Sequence, residues 1–385
     1  MKAIRRAEPV SRTQLVAMTG LSAGTISELT SELLRHGIVL DEKEPSKGRG
    51  RPRVQLRLNP DAAFVAGVFV FPNSTLEVGL TNLRGDKVFS KIRPIPLVPS
   101  VQDLAMQIAI LVDETIADSP LEKSAIHSVG VGLPATVNSV SGEVHWLQYH
   151  PAPPVPFAAI IGEYLNLPVF LDNTADVVAR AEHWFGEDRQ LDDFCLVMLG
   201  MGLSFAQYVE GMLWTSPRGL NSEFSHLKVV GQGGPRCVCG ATGCLMTYCS
   251  MYGIVSQVSM LRGLDPPPYD KLEDAFEIVA EQARCGDKVA IEVFDRAGTA
   301  LGTCLANHVN VWDPGRIIVL CANPTLSQFI KPRALEALRS ATFPAFADRV
   351  SIEFRIEGED QYSKGSAALV LEQIYRVAGR RSNRR

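Results

Sequence analysis

The chain has 385 residues, of which 46% are apolar and 21% charged, with a net charge of −4. That length and balance suit two or three domains with real cores and exclude a disordered chain. The longest apolar runs, such as 62–71 and 194–199, are too short for a bilayer, no signal-like start is present, and eight cysteines follow no pairing pattern, so a cytoplasmic protein without a membrane segment is expected.

The charge is unevenly spread. Residues 1–58 hold 11 Lys and Arg against 6 Asp and Glu, a net +5, and the remainder carries −9. A basic head on an acidic body points to a polyanionic partner. Ser11-Arg12-Thr13-Gln14 has the form of a capping box and predicts a helix start. Thr19-Gly20-Leu21 breaks that helix, and Ser22 caps a second. Ile26, Leu29, Leu33 and Leu34 recur at helical spacing, and Gly37 ends the helix. Two short helices about a tight glycine-containing turn make a helix-turn-helix.

The second helix would lie in the major groove, with Ser22, Ala23, Gly24, Thr25, Ser27, Glu28 and Ser31 facing the bases. These residues are small or polar and include no arginine, so phosphate affinity must come from elsewhere. Arg12, at the start of the first helix, joins the DNA-facing set. Segments 38–40 and 54–58 read as two strands of a wing. Between them Arg49, Arg51 and Arg53 sit among glycine and proline, which suits insertion into a narrow minor groove. Residues 1–60 therefore read as a winged helix-turn-helix for double-stranded DNA.

From residue 61 strands and helices alternate. Segments 62–71, 76–81 and 87–92 read as strands, 101–118 as a helix, 128–133 and 169–171 as strands, and 175–185 as a helix. Segments 194–199, 205–209, 226–230 and 316–321 read as strands, with helices at 289–311 and 365–377. Three strands followed by α/β alternation, met twice, predict a mixed sheet in each of two lobes. We draw these as 61–180 and 181–385, the second holding the closing helix. Trp146, Trp184, Trp214 and Trp312 read as packing residues, and Cys249, Cys285 and Cys304 as buried thiols.

The most informative stretch is E-x-x-H at 223–226, followed by Cys237, Cys239 and Cys244. Three cysteines in eight residues, with Gly240 and Gly243 between them, can converge on one ion. His226, Cys237, Cys239 and Cys244 form a Cys3His donor set, which suits a closed, structural Zn²⁺ site.

This stretch resembles the zinc-bearing signature of the ROK family of repressors and sugar kinases. The head resembles the winged helix of ROK repressors, through S-R-x-x-L, T-G-L-S-x-x-T-I-S and G-R-x-R-P. The body adds Val131-Gly132-Leu133-Pro134, Asp172-Asn173, Glu182 with Gly186, and Asp313-Pro314. The resemblance implies an actin/hexokinase fold, with two ribonuclease-H-like lobes about a sugar cleft.

The family's kinases use the aspartate of an N-D-A-N motif as base, where this chain has Asn173-Thr174-Ala175-Asp176. A threonine hydroxyl stays protonated at neutral pH and cannot replace it. The phosphate loop D-x-G-G-T is here Phe69-Val70-Phe71-Pro72-Asn73, and G-T-G-x-G is Gly200-Met201-Gly202-Leu203-Ser204. The later glycine pair is Cys321-Ala322. Of the family's sugar-holding residues the chain keeps Asn173, Glu223 and His226; Thr174 and Met246 replace two carboxylates. The expected function is a ROK-type repressor acting as a homodimer or tetramer. Its body would sense a sugar or sugar derivative and would have lost phosphotransfer. The alternative is a sugar kinase using Asp176 as an atypical base.

Overall fold

A computed structural model of the protein describes residues 1–43, 54–71, 75–95, 100–147, 153–186, 191–358 and 361–380. The chain divides into two units, Met1–Gln190 with Asp360–Arg385, and Leu191–Glu359.

The first unit opens with α1 (Lys2–Ala7), β1 (Val10–Ser11), α2 (Arg12–Thr19), α3 (Ala23–Arg35), β2 (Val39–Lys43) and β3 (Val54–Leu58). The expected capping box is present: Ser11 Oγ accepts the Gln14 N–H, and Gln14 Oε1 accepts the Ser11 N–H at 2.9 Å. Gly20, at φ 68°, closes α2 by donating its N–H to Val16. After α3, Gly37 donates to the Leu34 carbonyl and Ile38 to that of Leu33, each at 3.0 Å. This paired closure needs a left-handed residue, and Gly37 sits at φ 66°. The chain then turns into β2, and β1 and β2 flank β3 in an antiparallel sheet.

The first lobe adds β4 (Phe64–Phe71), β5 (Thr75–Asn82), β6 (Lys87–Pro94), α4 (Val101–Asp118), β7 (Ile126–Leu133), β8 (Ala135–Asn138), β9 (Glu143–Leu147), α5 (Phe157–Leu165), β10 (Val169–Asn173) and α6 (Thr174–Phe185). Its main sheet runs β10-β7-β4-β5-β6. Strands β4, β5 and β6 form an antiparallel meander, and β7 and β10 continue the sheet in parallel with β4.

The second unit holds β11 (Phe194–Leu199), β12 (Leu203–Val209), β13 (Met212–Leu213), α7 (Met246–Cys249), α8 (Met251–Leu261), α9 (Leu272–Arg284), α10 (Lys288–Trp312), β14 (Arg316–Cys321), α11 (Pro324–Ala341), α12 (Pro344–Ala347) and β15 (Ser351–Ile356). Its sheet runs β13-β12-β11-β14-β15, which is the same strand order and the same mix of directions. One mixed-sheet topology thus occurs twice, as the alternation of elements implied, and it agrees with the ribonuclease-H-like lobes that the family resemblance implied.

The closing helix, Gln361–Arg380, corrects the drawn boundary, because it belongs to the first unit. The reason lies in glycines on the sheet. A Cβ at Gly67 would stand 2.2 Å from the Ser363 carbonyl oxygen, and one at Gly130 would stand 2.0 Å from that of Ser366. Only glycine lets the helix backbone lie this close to β4 and β7. A buried ion network fixes the same helix: Arg180 on α6 donates to Asp172 at 2.8 Å and to Glu372 at 3.2 Å.

Head and lobe share one apolar core. Ile4, Val10, Leu15, Ile26, Leu56 and Leu58 of the head are continuous with Val65, Leu83, Trp184 and Tyr375. Arg5 of α1 lies over the Trp184 ring at 3.9 Å and donates to the Trp184 carbonyl. Trp214 and Trp312 are packing residues as expected, edge-to-face on each other, though 38% and 46% exposed. One further expectation needs correction: Cys285 is exposed at the end of α9, whereas Cys249 and Cys304 are buried.

Candidate metal centre and candidate nucleic-acid interface

The segment 226–230 is not a strand. Phe224–His226 forms a single 3-10 turn, after which the chain pairs with the cysteine loop alone, through an antiparallel bridge between Lys228 and Cys244. Val229 N–H bonds to Gly243 O at 2.9 Å, and Leu245 N–H to Leu227 O at 2.8 Å. These backbone bonds go to the loop rather than to a sheet strand.

The loop itself is tight. Gly240, at φ 87°, returns its N–H to Cys237 O, and Cys237 N–H bonds to Ala241 O at 2.8 Å. Gly243, at φ 72°, has no room for a side chain, since a Cβ would meet the Val230 carbonyl oxygen at 2.4 Å. These turns bring the four sequence-derived ligands together: the donor atoms of His226, Cys237, Cys239 and Cys244 all lie within 4.8 Å of one another. Cys239 Sγ is 3.8 Å from Cys244 Sγ, and Cys237 Sγ is 3.5 Å from His226 Nδ1. Tetrahedral bonds of about 2.3 Å to sulfur and about 2.0 Å to nitrogen give edges of roughly 3.8 and 3.5 Å, so the donor set fits Zn²⁺.

Burial pushes the Cys237 thiol up to about 12, so a bound cation is what would hold it as a thiolate at neutral pH. The remaining ring nitrogen, His226 Nε2, faces Glu223 Oε2 at 3.8 Å. An imidazole held this way can give one nitrogen to a metal while the other meets a carboxylate or a ligand. Lys228, which the sequence reading passed over, donates to Cys244 Sγ at 3.0 Å and to the Thr242 carbonyl at 2.9 Å. The hairpin-like pairing with Cys244 is the signal that would have found it.

Of the other sugar-position residues, Asn173 caps α6, its Oδ1 accepting the Asp176 N–H at 2.8 Å. Asp176, the alternative base, is 3% exposed within α6. Thr174 Oγ1 is buried and lacks a hydrogen-bond partner among the described residues. Met246 is buried at the start of α7.

The described residues at the phosphate-loop positions make contacts within the fold. Phe69 and Phe71 pack against Tyr362, with centroids 4.4 and 5.1 Å away. Gly200 N–H is bonded to Gly202 O, and Ala322 N–H to Leu199 O. These two backbone donors are thus used within the fold.

In the head, Ser22 caps α3 by accepting the Thr25 N–H at 3.1 Å, and Ala23, Gly24, Thr25, Ser27, Glu28 and Ser31 are all exposed as expected. Arg12 bonds through Nε to Thr30 Oγ1 at 2.8 Å and ties α2 to α3. Arg49, Arg51 and Arg53 lie outside the described residues.

The model of the ROK family matches residues 77–372. The chain is 24% identical over 380 residues to a xylose repressor of Caldicellulosiruptor bescii, covering 97% of this chain and 94% of that one. It superposes on a crystal structure of a ROK family transcriptional regulator, a homologue of Escherichia coli Mlc, with a TM-score of 0.80 at 23% identity. That match covers 97% of this chain and 94% of the other. A ROK family glucokinase from Streptomyces griseus, solved with glucose and AMPPNP, gives 0.63 at 22% identity, covering 80% of this chain and 99% of its own.

Proposed function

Because this chain belongs to the ROK family, we propose that it is a transcriptional repressor whose kinase-derived body senses a small molecule and no longer transfers phosphate. The observation that carries this reading is the capped helix pair α2–α3 with the strands β1, β2 and β3, whose apolar core runs into the lobe behind it. A head fused in this way moves with the lobe, so a ligand that favours one state of the body also favours one position of the head.

The exposed side of α3 is proposed to read base edges, with Ser22, Ala23, Gly24, Thr25, Ser27 and Glu28 nearest the groove. Arg49, Arg51 and Arg53 are proposed to enter the minor groove. Arg12 holds the two helices in register. The chain acts in the cytoplasm as a homo-oligomer, since an operator with two half-sites calls for two heads.

The effector is a sugar or sugar derivative. Asn173, Glu223 and His226 are the polar positions kept for it. Thr174 and Met246 stand where two carboxylate acceptors would be, so the preferred ligand is an altered or less polar sugar. Zn²⁺ held by His226, Cys237, Cys239 and Cys244 fixes the ring of His226 and the turn that carries Glu223.

The test is enrichment of genomic fragments by the purified protein, followed by footprinting. The expected result is two protected half-sites about 34 Å apart, or a multiple of that spacing. A pool without enrichment, or ATP-dependent phosphorylation of a hexose at ordinary enzymatic rates, would overturn the reading.

A further inference from the structure

We propose that Lys228 is the charge-balancing residue of the Cys3His metal centre. A divalent ion bound by three thiolates and one neutral imidazole leaves an excess negative charge on the cluster. Lys228 supplies a cation at the thiolate that most needs one. Cys244 is fully buried, whereas Cys239 is exposed and reaches solvent.

Position follows from the backbone. The bridge between Lys228 and Cys244 sets the two residues opposite each other, and the side chain then has two acceptors. Its ammonium donates to Cys244 Sγ at 3.0 Å and to Thr242 O at 2.9 Å. The second bond holds the ammonium over the sulfur rather than leaving it to swing in water. A hydrogen-bonded cation draws charge from the thiolate, which lowers its reactivity toward electrophiles and its tendency to be protonated off the metal. Lys228 does not touch the metal, so it acts through Cys244 as a positioning residue.

This inference rests on the reading of the four residues as a zinc site, and the experiment separates the two. Wild type, Lys228→Met and Lys228→Arg are prepared at fixed pH and salt, and bound zinc is measured first. Transfer of zinc to a chromophoric chelator is then timed. Cobalt-substituted samples give the thiolate-to-metal charge-transfer band.

The expected result is one equivalent of zinc in wild type and about two- to five-fold faster transfer in Lys228→Met, the range of a partly exposed ion pair. The cobalt band should move to longer wavelength in Lys228→Met, and Lys228→Arg should restore both readouts. Equal rates and bands in all three proteins would overturn the role of Lys228 and leave the zinc site standing. Lys228→Arg behaving like Lys228→Met would show that charge is not the property used. Wild type without metal would overturn the site and the inference together.

Discussion

At the scale of single residues, the metal centre rests on two glycines that act differently. Gly243 has both a left-handed backbone and a blocked Cβ position, whereas Gly240 has the left-handed backbone and open space around it. Gly240→Ala should therefore cost only the backbone penalty, about 1–2 kcal/mol. Gly243→Ala should cost more and reduce zinc content, because the Val230 carbonyl must move. Denaturation midpoints and metal analysis of the two variants check this ordering. Removing zinc with a chelator should lower the melting temperature by roughly 5–10 °C if free zinc stands near 100 times its dissociation constant.

His308 supplies a pH-dependent contribution in the same unit. Its Nε2 lies 3.1 Å from Cys195 Sγ, and its ring packs against Phe205 and Phe224. Burial lowers its pKa to about 4, from an ordinary value of 6.5. Between these values the unfolded chain binds more protons than the folded one, so stability is full above about 6.5 and falls as pH drops toward about 4. Urea midpoints measured from pH 7 to pH 4.5 should show this fall, and His308→Phe should flatten it.

At the scale of elements, the C-terminal helix completes the first lobe although it is last in sequence. Arg180 is held between Asp172 and Glu372, with all three side chains buried. Arg180→Met leaves two carboxylates without their cation and should cost about 3–5 kcal/mol, read as a lower denaturation midpoint. Elements with strong local signals were legible in the sequence. The helix at Val101–Asp118 and the strand at Phe194–Leu199 came out at their observed bounds, because periodicity and caps fix them locally. The lobe of the closing helix was not legible, since its place is set by Gly67 and Gly130, nearly 300 and more than 230 residues earlier. Segment 226–230 has strand-like composition, but the cysteine loop captures its hydrogen bonds. The four metal ligands were legible because their spacing is short, whereas Lys228 depends on a backbone bridge to Cys244 that spacing does not reveal.

At the scale of the whole molecule, a basic head is joined to a body with repeated kinase-like topology, in which aromatic packing and internal hydrogen bonds occupy the phosphate-loop positions described above. The function proposed for this molecule is sequence-specific DNA binding that a small molecule controls. Fluorescence anisotropy of the full chain on DNA from upstream of its own reading frame tests it most directly, at several salt concentrations and with a panel of sugars. The prediction is tight binding that weakens steeply with salt, as phosphate contacts require, and that one sugar or derivative shifts at least tenfold at fixed salt. Binding no tighter than to unrelated DNA, or equally tight with every sugar tested, would contradict it.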